Sequence, residues 1–197
     1  MSFEFSAVEH QLEIVDRNST TFRSEHKYWI KAEKATRFFI RHYVWTGSGV
    51  EKEPIPELVT EVDDWGFPHQ RIHGPLLCEE ASRILIVDLG RMIDEGENEF
   101  VHFRHRMKDL KATFKPMLSV QPTKKVKERI VLRIIVPDWT DLVVRYRSFT
   151  RDTKKVVMTR TLSPTQSSNG RLTFERTILN PSEKNLGHKL EWSHQER

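Results

Sequence analysis

Hydrophobic and polar residues alternate with a period of two along much of this chain. Phe22, Ser24, His26, Tyr28 and Ile30 interleave with Arg23, Glu25, Lys27, Trp29 and Lys31. Successive side chains of an extended backbone point to opposite sides, so this spacing predicts a strand with one wet face. Thr36 to Trp45 (TRFFIRHYVW) carries aromatic residues on both faces and stops at Thr46-Gly47-Ser48-Gly49. Glycines can supply the positive φ angles that a tight turn needs. Arg83 to Leu89 (RILIVDL) is a continuous apolar run ending at Gly90, which predicts a strand covered on both faces.

The second half repeats the pattern. Ile130, Leu132, Ile134 and Val136 share a face before a turn at Pro137-Asp138. Leu142, Val144 and Tyr146 point inward while Arg145 and Arg147 point outward. Leu172, Phe174 and Ile178 form another apolar row, and a last short strand is expected over 187–192. Trp139 is expected to plug one end of the core, and Trp192 to return to it.

Two segments are less regular. Phe100, Phe103, Met107, Leu110 and Phe114 fall at helical steps of three and four. The same stretch alternates cleanly as Val101, Phe103, His105 and Met107 against His102, Arg104, Arg106 and Lys108. The β-like flanks and a turn at Gly96-Glu97-Asn98 favour the strand. The prolines between Val50 and Pro68 forbid a continuous helix or strand. This predicts a long surface connection, with one helical turn around Glu57 to Val62. Roughly eleven strands at this spacing predict an all-β chain, an antiparallel two-sheet β-sandwich of immunoglobulin-like or jelly-roll-like type with at most one short helix.

Composition fits that picture. The 197 residues suit a single domain over 1–197, with its long loop around 46–68. The 11 Phe and 5 Trp argue against disorder. Cys78 is the only cysteine, which excludes an intramolecular disulfide and a thiolate-rich metal site. Acidic residues appear early in MSFEFSAVEHQLEIVDR, and no stretch approaches the length of an apolar membrane span. A cytoplasmic chain with no membrane span is expected.

Charge changes the picture more than composition does. Residues 51–100 hold four basic and thirteen acidic side chains, whereas residues 101–160 hold sixteen basic and five acidic ones. The modest net charge of +4 conceals this bipolarity. The two segments could be neighbours that neutralise each other, or the acidic lobe of one copy could dock on the basic lobe of the next.

Candidate chemistry is sparse. His69 and His73 lie four apart with Cys78 five residues on, but Pro68, Gly74 and Pro75 exclude the helix that would bring two imidazoles to one metal. A Gly-Pro turn between strands is the better reading there. His105, and likewise His26 and His42, read as hydrogen-bonded core histidines. Asp63 and Asp64 with Glu61 lack the spacing of a calcium loop. No nucleophile elbow, phosphate loop or dinucleotide fingerprint is present, and neither a cofactor nor a metal is expected.

The expected function is therefore a non-enzymatic interaction module, an accessory, adaptor or immunity-like factor. Its protein partner would meet Glu57, Glu61, Asp63, Asp64 and Trp65 of the acidic loop. The alternative is a module that binds a polyanion such as nucleic acid through Arg104, Arg106, Arg145, Arg147, Lys154 and Lys155. A hydrolase built around His69, His73 and Cys78 is the remaining and weakest reading.

Overall fold

The computed structural model describes residues 3–16, 18, 20–48, 54–79, 81–122, 125–139, 141–166, 170–181 and 185–194. Gly49 and Glu80 lie outside these residues, as do the side chains of Cys78 and Glu79. The strands run in the order β1 (Phe3–Ile14), β2 (Thr21–Ala32), β3 (Thr36–Val44), β4 (Glu57–Leu58), β5 (Arg71–Glu79), β6 (Ser82–Ile93) and β7 (Asn98–Lys108). They continue with β8 (Met117–Val120), β9 (Val126–Val136), β10 (Leu142–Thr150), β11 (Val156–Leu162), β12 (Thr165–Gln166), β13 (Leu172–Leu179) and β14 (Leu186–His194). No helix occurs among the described residues, so none is long and apolar enough to cross a membrane.

The all-β expectation holds, with the second layer divided. One layer is a seven-stranded sheet, β12-β13-β9-β1-β2-β7-β4. The other consists of a four-stranded sheet, β11-β10-β14-β8, and a three-stranded sheet, β3-β6-β5. Pairing is antiparallel apart from β1 and β9, which run parallel with Val8 opposite Ile130 and Leu12 opposite Ile134. Phe39 of β3 packs on Phe3, Phe5 and Tyr28 of the large sheet, at ring separations of 6.0, 6.4 and 5.0 Å. On the four-stranded side, the Arg176 guanidinium of β13 lies 5.1 Å from the centre of the Tyr146 ring. Ile130, Leu132, Ile134 and Val136 are buried, as their alternation required, and Trp139 and Trp192 both reach the core.

The ambiguous segment is a strand up to Lys108 and a turn beyond it. Neighbouring β2 supplies a full antiparallel partner, from Thr21 opposite Lys108 to Lys31 opposite Asn98. That ladder outweighs the local helical spacing.

Four expectations are corrected. The 57–62 segment holds no helical turn. Glu57 and Leu58 pair instead with Arg104 and Phe103 of β7, and Val62 bridges to Pro68. Pro54 and Pro56 bias the residues before them to extended backbone, and the β7 edge is there to receive it. Gly74-Pro75 is not a turn between strands. It forms a bulge inside β5, where the register against β6 slips between His73 and Leu76. His42 is exposed rather than in the core, because Phe39 and Tyr43 take the inward positions of β3. Finally, β6 is covered on one face only: Leu85, Val87 and Leu89 are buried, while the face carrying Ile84 and Ile86 is partly open.

Candidate functional site

Two features of the three-stranded sheet stand out, one on each face. Its outward face is apolar. Antiparallel pairing sets Ile40 opposite Ile86, His42 opposite Ile84 and Val44 opposite Ser82, while β5 sets Leu76 opposite Ile84. Directly paired residues share a face. Phe38, Ile40, Val44 and Leu76 are therefore displayed together, at 49%, 43%, 64% and 49% exposure. The charged members of this face are Asp88, held by Arg37 at 2.8 Å, and the exposed Arg71 of β5.

Its inward face borders a polar interior. β3 and β8 are edge strands of separate sheets, and between them a cleft of about 280 Å³ reaches down to His10 and Tyr28. It shares Arg41, Tyr43 and Ser119 with an inner cavity of about 100 Å³, which extends to Ser24, His26 and His105. Strand alternation places Ser24, His26 and Tyr28 on the inner face of β2, with His10 beside them on β1.

The side chains there form a chain. Arg41 Nε donates to the Tyr28 hydroxyl at 2.6 Å, and that hydroxyl lies 2.9 Å from His10 Nε2. The Tyr28 hydroxyl accepts from Arg41 and shares one proton with His10 Nε2, the donor of that bond depending on the His10 tautomer. The His10 and His26 rings meet edge to face at 4.6 Å, and His26 packs on Phe103 at 4.9 Å. His105 Nε2 lies 2.7 Å from the Pro54 carbonyl. Burial, then the Arg41 charge, holds His10 well below the usual histidine range, with the Ser119 backbone only partly opposing. Burial, then the neighbouring His10 and Arg41, does the same to His26. Ser24 Oγ and His26 Nδ1 are buried without a hydrogen-bond partner.

The acidic loop forms a tight turn. The Asp63 carboxylate accepts from the Trp65 and Phe67 amides at 3.0 and 2.8 Å, and the tip displays Trp65 at 83% exposure. Glu57, Glu61 and Asp64 are exposed around it. Asp63 thus holds the loop together, while its neighbours remain available for contact.

The basic candidates divide between the layers. Arg104 and Arg106 lie on the outer side of β7 in the large sheet. Arg145 and Arg147 lie on β10 of the four-stranded sheet, with Lys154 and Lys155 at the hairpin that follows. Several basic residues of 101–160 are paired with carboxylates from elsewhere in the chain: Arg104 with Glu25 at 3.1 Å, Arg129 with Glu9 at 2.9 Å and Arg147 with Glu191 at 3.0 Å. The acidic 51–100 segment supplies none of these partners.

His69 precedes β5 and His73 lies exposed on it. Among the described residues, no group of three or more His, Cys, Asp or Glu side chains could hold a metal ion. Sequence reasoning singled out His26 and His105 but missed His10, Arg41 and Tyr28 as their neighbours. The polar positions at His10, Ser24 and His26 inside otherwise apolar rows were the available signal.

No family model matches the chain, and no curated protein does. Solved structures do. The chain is similar to an M1 zinc metallopeptidase from Deinococcus radiodurans, with a TM-score of 0.55 and 10% identity over 96% of this chain. A point mutant of that peptidase matches at a TM-score of 0.54, and a mutant two-domain M1 zinc metallopeptidase bound to L-arginine at 0.53, both at 10% identity. The chain spans 42% of the length of each. The likeness is one of fold.

Proposed function

We propose that this chain is a non-enzymatic protein-interaction module that docks through the outward face of the β3-β6-β5 sheet. The observation that carries this reading is β6. Its apolar run has the composition of a strand buried on both sides, yet only the Leu85, Val87 and Leu89 side is covered. An uncovered apolar face of this kind favours association, since burying it removes hydrocarbon from water.

The size of the face supports a protein partner. Strands such as the nine-residue β3 and β5, spaced as in any sheet, give a patch of roughly 30 by 14 Å, or about 400 Å². A stable interface buries about 800 Å² on each side, so the sheet forms the centre of a contact and its margin the rest. Arg71, the exposed His42 and His73 and the Arg37–Asp88 pair lie on this face. With Asp88 already held by Arg37, the unpaired charge there among the described residues is that of Arg71. The partner is accordingly a folded protein with an apolar patch bordered by carboxylates. The fold likeness to part of a longer peptidase is compatible with a β-domain that works beside other folded units.

The test compares captures from native lysate by the wild-type chain, Ile40→Glu/Val44→Glu and Arg145→Glu/Arg147→Glu, each with nuclease treatment and at low and high salt. One stoichiometric protein retained by the wild type and the arginine variant, and lost from Ile40→Glu/Val44→Glu, is the expected result. Equal retention by all three chains overturns the assignment of the face. Nucleic acid released by salt, with no stoichiometric protein, overturns the reading in favour of polyanion binding, whose affinity falls with salt as counterions are released. Self-association of the purified chain, abolished by Ile40→Glu/Val44→Glu, would make the occupant a second copy.

A further inference from the structure

We infer that the polar cavity between the layers is a binding site for a small oxyanion of carboxylate or phosphate type. It lies on the opposite side of β3 from the docking face and does not depend on that face being an interface.

Three observations converge on an anion. The first is charge. Arg41 reaches inward to Tyr28 and lines both the inner cavity and the cleft, with Lys115 exposed at the rim of the inner cavity. The described residues that line the two spaces include no Asp or Glu. Among the described residues no carboxylate pairs with this half-buried guanidinium, whose Nη1 donates to the His42 carbonyl, so the counter-charge that ordinarily offsets desolvation is not supplied there. The second is unmet hydrogen bonding. Ser24 is 4% exposed, its Oγ has no partner, and His26 Nδ1 beside it has none. Buried polar atoms without partners are uncommon in folded chains and call for a ligand or water. The third is space. The inner cavity of about 100 Å³ shares His10, Arg41, Tyr43 and Ser119 with the cleft between β3 and β8. An engineered cavity of about 150 Å³ accepts benzene, so this one accommodates a group of about four or five heavy atoms.

An oxyanion answers all three. Its oxygens accept from the Arg41 guanidinium and the Ser24 hydroxyl in charge-assisted hydrogen bonds, which are shorter and stronger than neutral ones. A nearby negative charge also favours the protonated imidazole. The groups facing His10 and His26 are Arg41 from β3, Tyr28 from β2 and His105 from β7, while His102 acts on His26 from the outer face of β7, where it bonds Glu25 at 2.7 Å. No Asp or Glu lines the two spaces among the described residues, so the incoming anion would be the negative charge on the inner side of the sheet. Binding is then coupled to proton uptake, and affinity rises as the pH falls.

The test titrates the full chain with sodium acetate and, separately, inorganic phosphate, against sodium chloride at matched ionic strength. Imidazole nitrogen resonances and the melting temperature are both followed. The expected result is a saturable shift of the His10 and His26 signals with a single dissociation constant and a rise in Tm. Binding of acetate, which stays ionised throughout, should tighten as the pH falls from 7.5 to about 6. Arg41→Met should weaken it at least tenfold and Ser24→Ala severalfold. If Arg41→Met fails to fold, Ser24→Ala and Lys115→Met at the cavity rim carry the comparison. Saturation by acetate alone identifies a carboxylate ligand and by phosphate alone a phosphate; either supports the site. Shifts that never saturate, that chloride reproduces, or that persist in the cavity variants overturn it and leave the space to water.

Discussion

Asp109 shows how one side chain can fix the path of this chain. Its carboxylate accepts from the Ser48 and Phe114 amides at 2.9 and 2.7 Å and from the Thr113 hydroxyl at 3.3 Å. Burial alone would raise its pKa, but these donors outweigh it and hold the group below the ordinary 3.8. Asp109→Ala would leave two backbone amides without a partner where β7 ends. A loss of about 2–3 kcal/mol in urea unfolding is expected, with a smaller loss for Asp109→Asn, which keeps an acceptor oxygen. Because the folded-state pKa is depressed, the carboxylate's contribution is present above its ordinary value and disappears as the pH falls through the folded one. None of this was legible in the sequence, where Asp109 lies in a stretch that suits strand and helix alike. One partner, the Ser48 amide, comes from a loop 61 residues earlier, and local patterning carries no trace of such a contact.

At the scale of the element, the strands with strict alternation were legible because one buried face suffices to specify them. β2, β9 and β10 follow their spacing, apart from Val131 and Phe149, which are buried out of phase with it. β6 was misread for an instructive reason. A continuous apolar run records that two faces avoid water, and it is silent on whether the same chain covers both. β5 was misread because Gly74 and Pro75 signal a break, and a break inside a strand is a bulge when the partner strand continues past it. Gly90 offers a quantitative check on how β6 holds β5. Its φ is +78°, and a Cβ there would lie 1.9 Å from the His69 carbonyl oxygen. Gly170 has a similar φ of +74° but nothing within 4 Å. Gly170→Ala should therefore cost only the left-handed backbone term, about 1–2 kcal/mol. Gly90→Ala should cost more, because the chain entering β5 must move as well. Denaturant midpoints of the two variants measure the difference, and equal costs would mean that the His69 segment shifts freely.

For the molecule as a whole, the basic segment of the sequence is divided between the large and the four-stranded sheet. Glu9, Glu25 and Glu191 neutralise arginines of the basic segment across neighbouring strands, which ties solvent-facing charge to strand register rather than to a single binding surface. The interior tells the opposite story, since among the described residues His10, His26 and His188 have no carboxylate partner there. His10 and His26 are kept well below the ordinary histidine value of 6.5. His188, stacked on Tyr146 and bonded to its hydroxyl, is lowered to about 4, chiefly by burial and then by Arg176. In the unfolded chain these imidazoles protonate near 6.5, whereas in the folded chain they remain neutral. Between about 4 and 6.5 the unfolded state therefore binds more protons, so acidification favours unfolding. Stability should be flat above about pH 7 and should decline below 6.5, by up to about 1.4 kcal/mol per pH unit for each histidine held neutral. This decline begins well above the range in which depressed carboxylates such as Asp109 are protonated. Urea unfolding at half-unit steps from pH 7.5 to 5 would show it, and His26→Leu should flatten the slope by up to one histidine's share. A profile that stays level to pH 5 would mean that these imidazoles protonate in the folded state, with the layers opening enough to admit the charge.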